Sequence, residues 1–308
     1  MKKKVLILAG GYSKEREISI KTGKEVYKSI KNKYNVKLLD PSKGLINELR
    51  KEKPDIVFNA LHGTYGEDGY VQTILESEKI KYTHSGVYSS SLAIDKEVSK
   101  KIFKKNKILT PPSFKVTSIH KQLQKNIIKK INNSFKFPVV IKPLNEGSSV
   151  GVYICSNKNF IKNLYKLKDY NEILVEKYIP GREIQAAVLG KKKLGAIELI
   201  PSRKFYDYKA KYQKNAKTKH LMPAPLSKVN YNKVNDIALK AHKVLKCRGV
   251  SRSDFRFYNS KFYLLELNTQ PGMTSLSLVP EIARIKNITF FKLIDFLIKD
   301  ASINRYKN

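Results

Sequence analysis

Glu266 and Asn268 stand two residues apart in LLELNTQPGMT, residues 264 to 274, where an otherwise apolar strand runs into Pro271-Gly272. Alternation along a strand sends residues i and i+2 to one face, so the carboxylate and the amide point the same way while Leu267 turns back toward the core. A hard cation prefers such oxygen donors. Polar residues at a strand end are also commonly just solvated, and on this fragment alone that is the better reading. The stretch before it, SRSDFRFYNSKFYLLELN, reads as a hairpin with Arg252 and Asp254 on its first strand. A two-residue turn at Asn259-Ser260 pairs 254 with 265 and sets Asp254 on the face opposite Glu266. A three-residue loop, 259 to 261, pairs 254 with 266 and 252 with 268. The three-residue loop is the expectation. It gathers Arg252, Asp254, Glu266 and Asn268 into one patch of three oxygen ligands and a fixed cation. Magnesium is usually held by one or two carboxylates plus substrate phosphates, so this is the composition of a nucleoside triphosphate site.

The elements that must position this patch alternate. Strand KKVLILAG, a glycine turn, helix IKTGKEVYKSIK, strand YNVKLLD, helix KGLINELRKE, strand DIVFNAL, a loop and helix GYVQTILESEK predict a parallel sheet with its loops gathered at the carboxyl ends of the strands. Two of those loops, AGGYSKEREIS and LHGTYGEDG, are rich in glycine and carry Glu15, His62, Glu67 and Asp68. Neither has the spacing of a dinucleotide fingerprint or a P-loop. HSGVYSSSLAIDK reads as a linker before helix KEVSKKIFKKN. FPVVIKPLNEGSSVGVYIC reads as a hairpin whose glycine-serine loop has backbone N–H groups able to cradle an anion, with Lys142 behind it; simple flexibility explains the glycines equally well. EILVEKYIPGREIQAAVLG predicts two strands around Pro180-Gly181. Residues 201 to 225 form an aromatic, basic segment too long for a connector, and it reads as a lid carrying Lys211. A helix, NDIALKAHKVLKC, precedes the hairpin, and FFKLIDFLIKD ends the chain as another.

A chain of 308 residues has room for two or three domains. Its 61 Lys+Arg against 26 Asp+Glu give +35, which puts a polyanion partner on the table. The lysines are spread throughout, arginine is scarce, and the densest runs, at 99 to 107 and 125 to 130, read as polar faces of amphipathic helices. No specific nucleic-acid role is expected. No apolar stretch has the length of a membrane span or of a signal-peptide core, so a cytoplasmic protein is expected. Cys155 and Cys247 make no metal or disulfide motif.

The stretches GGYSKEREIS, LHGTYGEDG, SSSLAIDK, VVIKPLNEGSSVGV, VEKYIPGREI, FYDYKAKY, SRSDF and LELNTQPGMTSLSLVPE, in this order along essentially the whole chain, resemble the D-alanine–D-alanine ligases of the ATP-grasp superfamily. The resemblance implies an α/β ATP-grasp fold: an N-terminal parallel-sheet domain (1–92), a central subdomain (93–178) and a C-terminal domain (179–308), the last two clamping ATP. It places Glu176, Lys177 and Ile179 at the adenine, Glu183 at the ribose, and Lys96, Lys142 and Lys211 at the phosphates. Asp254, Glu266 and Asn268 become ligands of two Mg2+ or Mn2+ ions. Glu15 would hold the ammonium of the first D-alanine with His62 nearby, and Ser277 with Leu278 would bind the second D-alanine. Arg252 and the Gly272 N–H would stabilise the acyl phosphate and the tetrahedral oxyanion. Tyr212 and Ser148 would link to Glu15 and close the lid. The implied chemistry is phosphorylation of the first carboxylate by ATP and attack on it by the second amine. A homodimer is implied as well. Lys100 and Lys101 are left as solvated helix charges.

The match has departures. Lys209 stands where related lids commonly carry an acid, and Gln270 and Leu276 occupy variable positions. Tyr212 favours an amine over the hydroxyl of D-lactate as second nucleophile. Another carboxylate–amine or carboxylate–hydroxyl ligase, or a nucleotide-binding protein without catalysis, are the rival readings; the latter should lack Arg252 or the Glu266 and Asn268 pair, and all three are present.

Overall fold

The computed structural model describes residues 2–41, 44–117, 119–147, 150–201 and 218–303, and three sheets follow one another along them. The first holds β1 (Lys4–Leu8), β2 (Asn35–Leu39), β3 (Ile56–Asn59) and β4 (Lys81–Tyr82), all parallel, in the order β2-β1-β3-β4. KVLIL and IVFN are buried almost throughout, as strands covered on both faces must be. Helices α1 (Arg16–Ile30), α2 (Leu45–Glu52) and α3 (Tyr70–Ser77) make the crossovers. Gly23 lets α1 lie directly on β1, since a Cβ there would collide with the Cβ of Ala9.

The expected linker at 84 to 96 is instead mostly a helix, α4 (Val87–Ile94). Its serines look like loop formers, but they find carbonyl partners outside the helix: Ser89 Oγ donates to Lys246 O at 2.7 Å and Ser91 Oγ to Asp68 O at 2.7 Å. Asp95 ends this helix and caps the next, α5 (Lys96–Lys105), by accepting from the N–H groups of Glu97 and Val98 at 2.9 Å.

The second sheet is antiparallel, in the order β5-β8-β6-β7, with β5 (Ser113–Val116), β6 (Val139–Pro143), β7 (Tyr153–Cys155) and β8 (Ile173–Lys177). Helices α6 (Lys121–Ser134) and α7 (Phe160–Tyr165) belong to this segment, and Ile131, Phe160 and Leu164 pack with Val139, Ile141 and Val175. β6 and β7 form the predicted hairpin.

The third sheet, also antiparallel, runs β11-β10-β9-β12-β13 through β9 (Arg182–Leu189), β10 (Lys192–Ile200), β11 (Lys219–Leu221), β12 (Val250–Tyr258) and β13 (Lys261–Asn268). Helices α8 (Lys228–Val244), α9 (Leu278–Ala283) and α10 (Phe290–Asp300) complete it. The two strands around Pro180-Gly181 are present, but β8 belongs to the second sheet and β9 to the third. The expected lid is shorter than 201 to 225, because Lys219–Leu221 pairs with β10 as a strand; residues 202 to 217, with Lys209, Lys211 and Tyr212, lie outside the described residues.

The hairpin register is a second correction. Tyr258 pairs with Lys261, so the turn has two residues, Asn259 and Ser260, both at positive φ (47° and 56°), and the three-residue loop is wrong. The pairing it was meant to explain is nevertheless present: Asp254 opposes Glu266 and Arg252 opposes Asn268. A bulge makes up the difference. Phe255 pairs with Leu264, so Leu265 is the extra residue, and inward burial skips from Leu264 to Leu267.

Candidate active site

Strands of the second and third sheets face each other across a cleft lined by Lys96, Lys142, Glu176, Glu183, Asp254 and Glu266, and by Lys177 and Ile179. Glu176, on β8, is only 3 % exposed. Its Oε1 accepts from Lys142 Nζ at 2.9 Å, and its Oε2 lies 2.7 Å from Lys100 Nζ. Burial alone pushes such a carboxyl up, but the two ammonium groups win and hold it down to about 2. Burial likewise works against the Lys142 ammonium, yet Glu176, Glu266 and Asp254 together raise it above the ordinary lysine range. Lys96, at the start of α5, donates to Glu146 O at 2.7 Å and Leu144 O at 3.3 Å and sits 3.9 Å from the Glu266 carboxylate. Its burial makes it easier to deprotonate than a free lysine, Glu266 partly opposing that.

The bulge at Leu265 puts Asp254 and Glu266 directly across from one another at the floor of this cleft. Arg252 grips Asp254 with both arms of its fork, Nε to Oδ1 at 2.7 Å and Nη2 to Oδ2 at 2.9 Å. A carboxylate has lone pairs left after such a grip. Asn268, opposite Arg252 and two residues from Glu266 on the same strand face, has a buried amide whose Nδ2 lacks a hydrogen-bond partner. Among the described residues no group of three or more His, Cys, Asp or Glu is placed to hold a metal by itself. Two opposed carboxylates and an amide fit a divalent ion whose shell is completed by phosphates.

A smaller cavity joins this floor to the N-terminal sheet, shared by Glu67, Lys96, Glu146, Gly147, Glu266 and Asn268. On its far side His62 is buried between Thr22 Oγ1, 3.1 Å from Nε2, and Glu67 Oε1, 3.2 Å from Nδ1. Glu15 is 8 % exposed and wedged between two loops. A Cβ on Gly63 (φ +70°) would come 2.8 Å from its Oε2, and one on Gly147 would come within 3.2 Å. The His62 loop and the glycine-serine hairpin thus both close on one carboxylate. A separate cavity of about 680 Å3 lies beyond Ser13 and His62, with Tyr12, Leu61, Tyr65 and Ile74 among its walls.

The loop after β13 is tied to the N-terminal sheet. Asn59 Nδ2 donates to Gln270 Oε1 at 2.7 Å, Gln270 Nε2 donates to Leu61 O, and Ser275 N donates to Glu25 Oε2 at 2.6 Å. Within the loop, Ser277 Oγ accepts from Thr274 N at 3.0 Å, and a Cβ on Gly272 would approach that oxygen to 3.1 Å. Gly272, Ser277 and Leu278 therefore sit together at the start of α9.

The structure brings Lys96, Lys142, Glu176, Lys177, Ile179, Glu183, Asp254 and Glu266 to one cleft, with Arg252 and Asn268 adjoining it; Glu15 and His62 face it across the smaller cavity. Ser148, Lys211 and Tyr212 lie outside the described residues. The expectation for Lys100 is overturned: it is 2 % exposed and ion-paired. Its signal was in the sequence, because Lys96, Ser99, Lys100 and Phe103 form the i, i+3, i+4, i+7 stripe that α5 buries. Lys101 is solvated as expected and pairs with Glu97 at 2.9 Å. Arg256 was also missed. It lines the cleft, donates to Gly181 O at 3.1 Å and lies 3.4 Å from Glu183, its cross-strand partner.

Comparison with known proteins agrees with this geometry. The family model described as "D-ala D-ala ligase C-terminus" matches residues 102–299, and "D-ala D-ala ligase N-terminus" matches 39–85. A D-alanine–D-alanine ligase of Pelagibacter ubique is 63 % identical over 99 % of this chain and 100 % of its own length, and one from a Wolbachia of Drosophila simulans is 43 % identical over 96 % and 93 %. The crystal structure of the Bacillus anthracis D-alanine–D-alanine ligase complexed with ATP superposes with a TM-score of 0.83 at 34 % identity, covering 97 % of each chain. The mixed parallel and antiparallel sheets, the cleft between them and these relatives agree: the chain belongs to the D-alanine–D-alanine ligase family of the ATP-grasp superfamily, enzymes of peptidoglycan synthesis that use ATP and a divalent metal.

Proposed function

We propose a division of labour among these walls for the ATP-dependent joining of two D-alanines. Glu176, Lys177 and Ile179 take the adenine, Glu183 the ribose, and Lys96, Lys142 and Lys211 the phosphates. Glu15, with His62 beside it, holds the ammonium of the first D-alanine, whose carboxylate oxygen attacks the γ-phosphorus. The bond to the ADP oxygen breaks, leaving an acyl phosphate. The amine of the second D-alanine, its carboxylate held by Ser277 beside Leu278, attacks the acyl carbon; the C–N bond forms, the C–O bond to phosphate breaks, and the departing phosphate takes up the proton that the amine gives up. Arg252 and the Gly272 N–H face the charge that collects on the oxygens in both steps. Asp254, Glu266 and Asn268 would hold two Mg2+ or Mn2+ ions, which when bound neutralise phosphate charge. Tyr212 and Ser148 join Glu15 in closing the site.

The observation that carries this reading is the opposition of Asp254 and Glu266 beside two buried lysines, in a cleft one cavity away from Glu15 and His62. No enzyme nucleophile is needed, because positioning and charge stabilisation suffice. Three sheets support the division into 1–92, 93–178 and 179–308, with α5 and α10 packing across its boundaries: Phe103 joins the core of the third sheet, and Leu293 and Leu297 share a core with Val5 and Ile7. No helix among the described residues is long and apolar enough to cross a membrane, and we place the reaction in the cytoplasm, where ATP is available. Assembly as a homodimer completes the proposal and is checked by sedimentation. The direct test measures phosphate release from ATP and Mg2+ with D-alanine, L-alanine or no amino acid, with mass detection of the product. Release that requires D-alanine and yields the dipeptide supports the reading; release indifferent to D-alanine contradicts it.

A further inference from the structure

We propose that Lys100 is a positioning residue for nucleotide selection: from helix α5 it fixes the Glu176 carboxylate, ionised and in one orientation, as the acceptor for a 6-amino purine. This rests on the reading of Glu176 as an adenine-pocket residue. The two lysines on Glu176 are not equivalent. Lys142 lines the cleft and is shared, since it feels Glu266 and Asp254 as well as Glu176. Arriving phosphates compete for it. Lys100 is absent from the cleft lining and stands behind the carboxylate, 2.7 Å from Oε2, with Pro111 O at 3.4 Å as its other polar neighbour. Its charge is therefore dedicated to Glu176 whether or not a nucleotide is present.

Geometry separates the two carboxylate oxygens. Oε2 has essentially no accessible surface and is held from behind by Lys100, which leaves Oε1, on the side of the cleft-lining Lys142, to face a ligand. A carboxylate oxygen can accept more than one donor, and a ligand amino group supplies the second. Helix α5 carries both ends of the arrangement. Lys96 at its first turn reaches the Glu146 carbonyl and the Glu266 side of the cleft, and Lys100, one turn on, reaches the Glu176 side. The spacing of i and i+4, about 6 Å along a helix, thus sets phosphate-side and base-side cations from one rigid element. The charged groups facing Lys100 are Glu176 from β8, Lys142 from β6 and Lys104 from its own helix. Burial and the two lysines lower its ammonium to about 8, Glu176 opposing them.

The experiment compares ATP with purine riboside 5′-triphosphate, which keeps the ribose and phosphates and lacks the 6-amino group. Both are measured by calorimetric binding without D-alanine and by KM in the ligation assay, for the unmodified protein, Lys100→Met and Lys100→Arg. The unmodified protein should prefer ATP by about tenfold or more, the effect of losing one hydrogen bond to a buried carboxylate. Lys100→Met should weaken ATP about tenfold, bring the preference near one and leave kcat within about threefold, whereas Lys100→Arg should keep part of the preference. A folded Lys100→Met that retains the full preference overturns the inference. An unmodified protein without any preference overturns it together with the adenine role of Glu176. Failure of ligation alone strikes only at the proposed reaction, because the binding arm still decides. If Lys100→Met does not fold, the double variant Lys100→Met/Glu176→Gln should regain folding and show no preference; a double variant no better folded than the single one shows that Lys100 serves something other than Glu176.

Discussion

The cleft between the second and third sheets and the loop at 269 to 277 hold their groups in different ways. In the cleft, Glu176 lies between two buried ammonium groups and Asp254 lies in the fork of Arg252. The loop is held to the N-terminal sheet largely by neutral amides, Asn59 to Gln270 and Gln270 to Leu61 O, with Glu25 accepting from one backbone N–H. A polyphosphate needs fixed charge in a desolvated place, and charge can be kept there only in mutually compensating sets. A loop that offers backbone N–H groups to a developing oxyanion needs its position fixed and its field left undisturbed, which neutral hydrogen bonds achieve. Removing one member should therefore be severe and charge-dependent in the cleft, and milder and pH-independent in the loop.

The most damaging single change should be Arg252→Met. It strands Asp254 and, on the proposed roles, removes the cation that faces both oxyanions, so kcat should fall about 100- to 1000-fold and urea unfolding should show a loss of a few kcal/mol. A fall of less than tenfold would remove Arg252 from the chemistry. Acid titration gives the next contrast. Because the Glu176 carboxyl is held down to about 2 in the folded protein, its stabilising contribution is complete above the ordinary carboxyl range and is lost as pH falls toward 2. The stability gap between unmodified protein and Glu176→Gln, read from urea midpoints at pH 5 and below, should narrow steadily on the way down. A gap independent of pH would mean that the two lysines do not set this group.

Gln270→Ala should cost about 1–3 kcal/mol, since Asn59 and the Leu61 carbonyl lose a buried partner. Its stability difference should stay flat over the same pH range, and the KM for D-alanine should rise more than the KM for ATP. Equal effects on both substrates would show that the loop and the cleft are one mechanical unit. The smallest effect belongs to Lys101→Ala, whose exposed i, i+4 pair with Glu97 is worth about 0.5 kcal/mol or less. Set beside Lys100 one residue earlier, it measures how much burial adds to the same side chain.

Much of this could be read before the structure, for physical reasons that also explain the failures. The parallel sheet was legible because KVLIL and DIVFNAL alternate with amphipathic helices and end in glycine-rich loops. The pairing of Asp254 with Glu266 was legible because both face one way, but the device was not: Leu264 and Leu265 are both apolar, so hydrophobicity does not reveal which is the bulge, and the turn was lengthened instead. Lys100 was hidden by its type, since lysine ordinarily means solvent, although its helical spacing from Phe103 placed it on the buried face. The serines of α4 misled because their hydroxyl partners, Lys246 O and Asp68 O, are distant in sequence. Strand β10 went unmarked because KKLGAIELI carries a glycine, which sits at φ +146° where the pairing with β9 shifts register.

The central claim is that one cleft activates a carboxylate by phosphorylation and passes it to an amine. It is tested most directly with D-alanine labelled with 18O in both carboxylate oxygens, incubated with ATP and Mg2+, followed by mass analysis of the phosphate and the dipeptide. The account predicts one 18O in each phosphate released and one phosphate for each dipeptide. Unlabelled phosphate accompanying dipeptide formation, or label retained entirely in the dipeptide, would contradict it.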